Sequence, residues 1–149
     1  MKFSNLSLKS ISKIFLISSV PLVSWSSIKP NNFKPKFKTF FFLCLGLFIF
    51  GLGESVLVVS DYGVTPWTVL AEGVAKKIDI GIGLSTFIIS CIVLIFWLPL
   101  KLKPGFGTLM NILIIAMTMG GTIPFLYFLN DFFNRLFLSF LGTMLVGFG

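Results

Sequence analysis

Histidine is absent from this sequence, and charged side chains are scarce. Without histidine the chain has no His-based catalytic triad, no His-ligated zinc and no histidine proton relay. Charged residues make up 11% of the 149 residues, whereas a soluble domain carries about 25%. Hydrophobic residues make up 56%. Too few polar groups remain to cover the surface of a soluble fold, so the lipid bilayer is the expected solvent.

The usual signatures of enzyme chemistry are lacking as well. The sequence shows no nucleophile–base pair, no paired carboxylates and no cluster of metal ligands. The two cysteines, Cys44 and Cys91, fall inside apolar runs and do not indicate a redox compartment. We therefore predict no enzyme activity, no catalytic residue, no cofactor and no metal.

Positive charge is concentrated before the first apolar run. The net charge is +7, and seven of the twelve basic residues lie within residues 1–38, where no acidic residue occurs. In a membrane protein this bias sets orientation, and no soluble basic domain is present to bind nucleic acid. We predict a multi-pass protein of the bacterial inner membrane with a cytoplasmic N-terminus and no nucleic-acid partner. The basic tail, residues 1–38, is either disordered or targeting-like.

Apolar runs predict an all-α, polytopic transmembrane helical bundle over residues 39–149. A helical span needs about 20 apolar residues. The predicted spans cover residues 39–59, 84–100 and 109–129, and a partial span covers residues 136–149. Between the first two, Thr65 and Pro66 predict the start of an amphipathic helix over residues 66–78, with Trp67, Leu70 and Val74 on its apolar face. Such a helix lies in the interface or folds back into the bundle, and Ser85 is predicted to cap the span that follows.

A glycine pattern occurs twice, as LGLFIFGLG in residues 45–53 and as LGTMLVGFG in residues 141–149. If the repeat unit holds three spans, the second copy is inverted across the membrane, as in many secondary transporters. The chain is then one three-span unit of an inverted repeat plus the start of a second. It looks like a fragment, whose expected partner in the bilayer is a missing C-terminal half or a second copy of the chain.

An ordered set of motifs resembles the YczE-like family of bacterial membrane proteins. The string GLGESVLVVSDYGVTPWTVLAEGVAKKIDIGIGLST is followed by a span ending in WLPL and then by KPGFGTLMN. The resemblance implies a duplicated architecture and no substrate, since the activity of that family is largely undefined. Two departures are the turn at residues 82–85 and Gly120, which stands where an acidic residue is expected. The residues that carry the motifs are Gly51, Gly53, Pro66, Trp67, Lys103, Pro104, Gly105, Gly107, Thr108 and Asn111.

Glu54 is the one charged residue inside a predicted full-length span. Intramembrane carboxylates often mark ion or proton pathways. Two alternatives remain open here: a functional position, or a carboxylate that snorkels to the outer surface or merely packs in the bundle. Gly51 and Ser55 flank Glu54 with the spacing of small residues at helix contacts, which favours an interior position.

Two further segments carry weaker signals. Gly120, Gly121 and Pro124 are able to break the third span, and broken helices supply substrate or ion sites in transporters; simple kinks are the commoner outcome. The hairpin at residues 103–108 lacks the Walker pattern and favours a structural type II turn over a phosphate site, with Thr108 capping the third span.

Two functions fit these observations. The first is a transporter-like or permease-like protein for a small molecule or ion of unknown identity, with Glu54, Gly120, Gly121 and Pro124 along its pathway. The second is a non-transporting accessory or scaffold protein that assists a membrane-associated partner through its basic tail and hairpin.

Overall fold

A computed structural model describes residues 33–97, 99–102, 104–127 and 132–149, with only the backbone described for residues 132–134. Most of the predicted basic tail, Lys103 and the predicted end of the third span at residues 128–129 lie outside the described residues. The described chain is all-helical and contains no strand. Its helices are α1 (Phe37–Ser60), α2 (Pro66–Ile78), α3 (Ile82–Phe96), α4 (Phe106–Leu126) and α5 (Phe132–Phe148).

Helix ends follow local chemistry in some places and not in others. The hydroxyl of Thr65 caps α2 by accepting from the backbone N–H of Thr68, and Pro66 occupies the first helical position. Two predicted caps are wrong. Gly81 precedes α3 and Gly105 precedes α4, and neither helix has a side-chain cap. The hydroxyl of Ser85 bonds to α2 instead, and Thr108 lies inside the first turn of α4.

The predicted type II turn before α4 is also wrong. A type II turn needs a positive φ at its third residue, and Gly105 has φ −81° and ψ 167°. Extended backbone at Gly105 therefore leads directly into α4, so that the helix begins earlier than the sequence predicts.

Two helices in the described chain are long and apolar enough to cross a membrane, namely α1 with 24 residues and α4 with 21. The predicted second span is corrected: α3 has 15 residues and is bent by 110° from α2, across a turn in which Asp79 is left-handed. The bent pair is either one broken span or a re-entrant loop, which gives up to three crossings. The molecule is a helical membrane bundle.

The bundle is organised around α1. This helix packs against α4 and α5, while α4 also packs against α3, and α3 against α2. Small residues set the contact between α1 and α4: Gly51 lies against Thr118, and the hydroxyl of Thr122 donates to Ser55 at 2.7 Å. Large apolar side chains elsewhere face outward, where lipid removes the cost of exposing them; they include Phe41, Phe48, Phe96, Phe125 and Phe137.

The third span is not broken. α4 runs without interruption through Gly120, Gly121 and Pro124, so the predicted helix break is corrected. Pro124 lies in the last turn, where it removes the hydrogen bond that an N–H at this position would donate to the carbonyl of Gly120, and the helix continues to Leu126. Gly120 lies beside Gly83 of α3, and a Cβ built on Gly83 would lie 2.5 Å from the Cα of Gly120, so close packing here requires glycine at position 83.

α2 is attached to the bundle through its small residues. Thr68, Ala71 and Ala75 are buried, whereas Trp67 and Leu70, which lie on the predicted apolar face, are exposed. The predicted apolar face is therefore mostly exposed, and small residues make the buried contact with the bundle instead. Close approach to α3 requires small side chains, and the hydroxyl of Ser85 donates to the carbonyl of Ala71 at 2.8 Å.

Candidate functional site

Glu54 lies in the interior of the bundle. Its side chain is 1% exposed, although α1 is a long apolar helix. One carboxyl oxygen, Oε2, accepts from the hydroxyl of Thr68 at 2.5 Å and lies 3.1 Å from the hydroxyl of Thr65. The other oxygen, Oε1, is buried without a hydrogen-bond partner among the described residues. This geometry contradicts a carboxylate that snorkels to the outer surface, whereas a functional position and a carboxylate that packs in the bundle both fit it.

The N-terminus of α2 supplies the partners of Glu54. Thr65 is the capping residue and Thr68 lies one turn later, so both hydroxyls project from the first turn of the helix. That end of a helix carries a partial positive charge and is a favourable place for a carboxylate. A buried charge is retained only where such groups replace its hydration. The Thr-Pro-Trp-Thr sequence at residues 65–68 thus builds one half of the site, and α1 builds the other.

A cavity of about 310 Å³ borders Glu54. Its polar lining consists of Glu54, Thr65, Thr68, Thr86, Ser90 and Asn111, which come from all four of the helices α1 to α4 and the cap of α2. Its apolar lining consists of Phe50, Trp67, Ile112, Ile115 and Met119. A cleft or cavity with a few convergent polar groups on a mostly apolar wall is the usual form of a small-molecule site.

The predicted pathway residues separate into two places. Gly120 and Pro124 line a second cavity of about 290 Å³ beside the turn between α2 and α3, and not the cavity at Glu54. Met119 lines both cavities and stands between them. Gly121 lines neither of these cavities, and a Cβ built on it would meet nothing within 4 Å.

The motif residues also divide. Trp67 and Asn111 line the cavity at Glu54. Gly51 and Gly53 serve helix contacts, against Thr118 and Val146 respectively. The hairpin residues Pro104, Gly105, Gly107 and Thr108 lie at the start of α4 and line no part of that cavity.

Several cavity residues had no signal in the sequence. Thr86 and Ser90 lie one turn apart on α3 and both line the cavity, and Met119 reaches it from α4. Hydroxyls inside apolar helices usually bond to their own backbone, as Thr86 does with the carbonyl of Ile82 at 2.9 Å. Only Thr68 had a local signal, since it stands three residues after a capping threonine.

The comparison with protein families covers the whole bundle. The model of a family described as "Family of unknown function (DUF6198)" matches residues 37–149. The chain belongs to this family. Within DUF6198, the matched residues include every helix described above and the entire lining of the Glu54 cavity. The fit to the family therefore rests on the membrane bundle rather than on the basic tail.

A curated relative is similar over most of the chain. An uncharacterised protein of Haemophilus influenzae is 40% identical over 130 residues, which cover 87% of this chain and 59% of the relative. The DUF6198 chain thus spans less than two thirds of the length of the relative it matches. No solved structure matches the chain.

Proposed function

We propose that this DUF6198 protein is a transporter-like or permease-like membrane protein whose substrate site is the cavity at Glu54. The observation that supports this most directly is the buried carboxyl of Glu54, which is hydrogen-bonded through Oε2 and whose Oε1 has no hydrogen-bond partner in the described part of the chain. Burial of such a group is costly. A bound substrate or ion that engages Oε1 would offset that cost.

The architecture around Glu54 supports the same proposal. Secondary transporters hold substrate where a helix terminus points into the middle of the bundle, and here the N-terminus of α2 meets Glu54 through Thr65 and Thr68. The 110° bend lies at the opposite end of α2, where α3 begins. A multi-pass topology in the bacterial inner membrane with the N-terminus inside, and membership of the YczE-like group, belong to this proposal. The lysine-rich residues 1–38 support the orientation. No catalytic role is assigned to any residue.

Charge movement in proteoliposomes tests the proposal. The protein is reconstituted and exposed by rapid solution exchange to four substrate classes in turn: alkali cations, organic ammonium ions, amino acids and carboxylates. We expect a saturable current with at least one class in the wild type. The current should disappear in Glu54→Gln, which keeps the shape of the side chain and removes its charge.

Glu72→Gln is the matched control. Glu72 lies on α2, outside the cavity lining, and forms a surface ion pair with Lys76 at 3.6 Å. Its variant should retain the wild-type current. A Glu54→Gln protein that carries the full current would remove Glu54 from the mechanism. Absence of a saturable current with all four classes would favour the accessory or scaffold function instead.

A further inference from the structure

We infer that the cavity at Glu54 binds a small organic ammonium ion, an inference that rests on the proposed function. Charge is the first argument. Among the described residues that line the cavity, Glu54 is the only one with an ionisable side chain, and none is lysine or arginine. A ligand that pairs with its buried carboxylate therefore brings the compensating positive charge. An anionic ligand would place two like charges together in a medium of low dielectric constant.

The second argument is the chemistry of the polar wall. The lining includes the carboxyl group of Glu54, the hydroxyl-bearing residues Thr86 and Ser90, and the amide-bearing Asn111. The oxygens of these side chains attract a cationic group and accept a hydrogen bond from any N–H or O–H donor that the ligand carries. Oε1 of Glu54 is the acceptor that lacks a partner among the described residues, so it is the atom expected to receive the ammonium group.

The third argument separates an organic ammonium ion from a bare alkali cation. A cavity of about 310 Å³ has the volume of roughly ten water molecules, far more than one metal ion requires. Phe50 and Trp67 contribute aromatic rings to its wall. Such rings attract organic cations through their faces and supply no oxygen ligand to sodium or potassium.

Equilibrium dialysis with radiolabelled choline tests the ligand class on the protein in detergent. We expect saturable binding that unlabelled ethylammonium and tetramethylammonium displace. The neutral isostere of choline, 3,3-dimethyl-1-butanol, should compete at least tenfold more weakly. Glu54→Gln should lower the affinity at least tenfold, and Glu72→Gln should leave it unchanged.

Trp67→Leu is a second variant that does not depend on the folding of Glu54→Gln. Trp67 is 41% exposed, so its replacement leaves the bundle core intact. Loss of a cation–π contact corresponds to a loss in affinity of about 2- to 30-fold. Lack of saturable choline binding, equal competition by the neutral isostere, or displacement by sodium chloride alone would overturn the inference. Transport of a neutral compound that Glu54→Gln abolishes would preserve the proposed function and still remove this ligand class.

A different observation carries a second inference, about the symmetry of the α1–α5 contact. The two glycine patterns pack antiparallel to each other. A Cβ on Gly46 would lie 3.1 Å from the carbonyl oxygen of Gly149, and a Cβ on Gly142 would lie 3.1 Å from that of Gly53. Gly46 and Gly142 are 96 positions apart in the sequence, and so are Gly53 and Gly149. Exchanging the two members of each pair therefore converts the first contact into the second. A Cβ on Gly53 likewise meets the backbone N of Val146, and a Cβ on Gly149 meets that of Phe50.

We propose that α5 is the inverted counterpart of α1 and that the axis relating them lies in the membrane plane. The two contacts to carbonyl oxygens place this axis between residues 49 and 50 of α1 and between residues 145 and 146 of α5, and the two contacts to backbone N place it two residues further along each helix. At a rise of 1.5 Å per residue, Glu54 then lies about 4–7 Å from the axis along α1. This depth is close to the midplane, where repeat-built transporters hold their substrates.

Nitroxide labels measure the depth directly. Phe41 and Phe137 are 96 residues apart and both exposed. In a background without Cys44 and Cys91, labels at these positions should lie in opposite leaflets, each about 13–16 Å from the midplane by the helical rise. Labels at Phe48 and Met144 should both lie within about 5 Å of it. Labels in the same leaflet, or depths that differ by more than one helical turn, would refute the symmetry.

Discussion

Gly83 offers a sharp test of the helix packing that encloses the site. A Cβ at this position would lie 2.5 Å from the backbone N and Cα of Gly120 and 2.6 Å from the carbonyl oxygen of Ala116. These are backbone atoms, so no side chain can rotate away and α3 must separate from α4. Overpacking of this kind costs about 1–3 kcal/mol, and a backbone neighbour places Gly83→Ala in the upper half of that range.

Gly121→Ala is the matched control, since Gly121 lies on α4 beside Gly120 and a Cβ there would meet nothing within 4 Å. Alanine in an open helical position stabilises by about 0.5–1 kcal/mol relative to glycine. Thermal unfolding is followed with a thiol-reactive dye, because Cys44 and Cys91 are both half-buried in the fold. At about 2–4 °C per kcal/mol, Gly83→Ala should unfold clearly below the wild type and Gly121→Ala slightly above it.

A Gly83→Ala protein that unfolds at or above the wild-type temperature would refute the backbone contact between α3 and α4. The cavity walls would then have a different spacing from the one described. Equal destabilisation by both substitutions would instead mean that alanine is poorly tolerated at glycine positions of α3 and α4 alike, and would not indicate close packing at Gly83.

Two further predictions concern hydrogen bonds and charge. Thr68→Val keeps the shape of the side chain and removes the 2.5 Å hydrogen bond to Glu54; it should destabilise the fold by about 1–3 kcal/mol in the same thermal assay, and an unchanged protein would show that this bond contributes little. Lys76→Ala breaks the exposed ion pair with Glu72 and should cost only about 0.3–0.5 kcal/mol; a larger loss, or one that persists in high salt, would contradict a surface role.

Local signals in the sequence were sufficient to predict the long helices α1 and α4 and the shorter helix α2. Apolar runs of span length mark α1 and α4, and α2 occupies the predicted residues 66–78 because Thr65 caps it and Pro66 fits its first turn. The bend between α2 and α3 has no such signal. It depends on backbone conformation at Asp79 and on packing against α4, which are properties of the assembled bundle.

The site was predictable only in part. Glu54 was found because a charge in an apolar span is costly and therefore conspicuous. Its hydroxyl partners and the threonine and serine residues of α3 were not identified from the sequence. A hydroxyl in an apolar helix usually bonds to the backbone of its own helix, so the sequence does not show that it also lines a cavity. Only the tertiary fold shows which of them share a cavity. The same limit explains why Gly120 and Pro124 were assigned to a broken helix that α4 does not have.

The unequal lengths of the helices bear on how the protein is made. α1 and α4 are long enough to enter a bilayer one at a time, whereas α2 and α3 are too short to cross it alone. During synthesis Glu54 can therefore enter the membrane with α1 before α2 has docked against it. Until α2 docks, the carboxyl group lacks its hydrogen bonds to Thr65 and Thr68, and water or another membrane component must stabilise it. The cavity at Glu54 is thus complete only after α2 has docked, because α2 supplies Thr68 and the cap Thr65 to its wall.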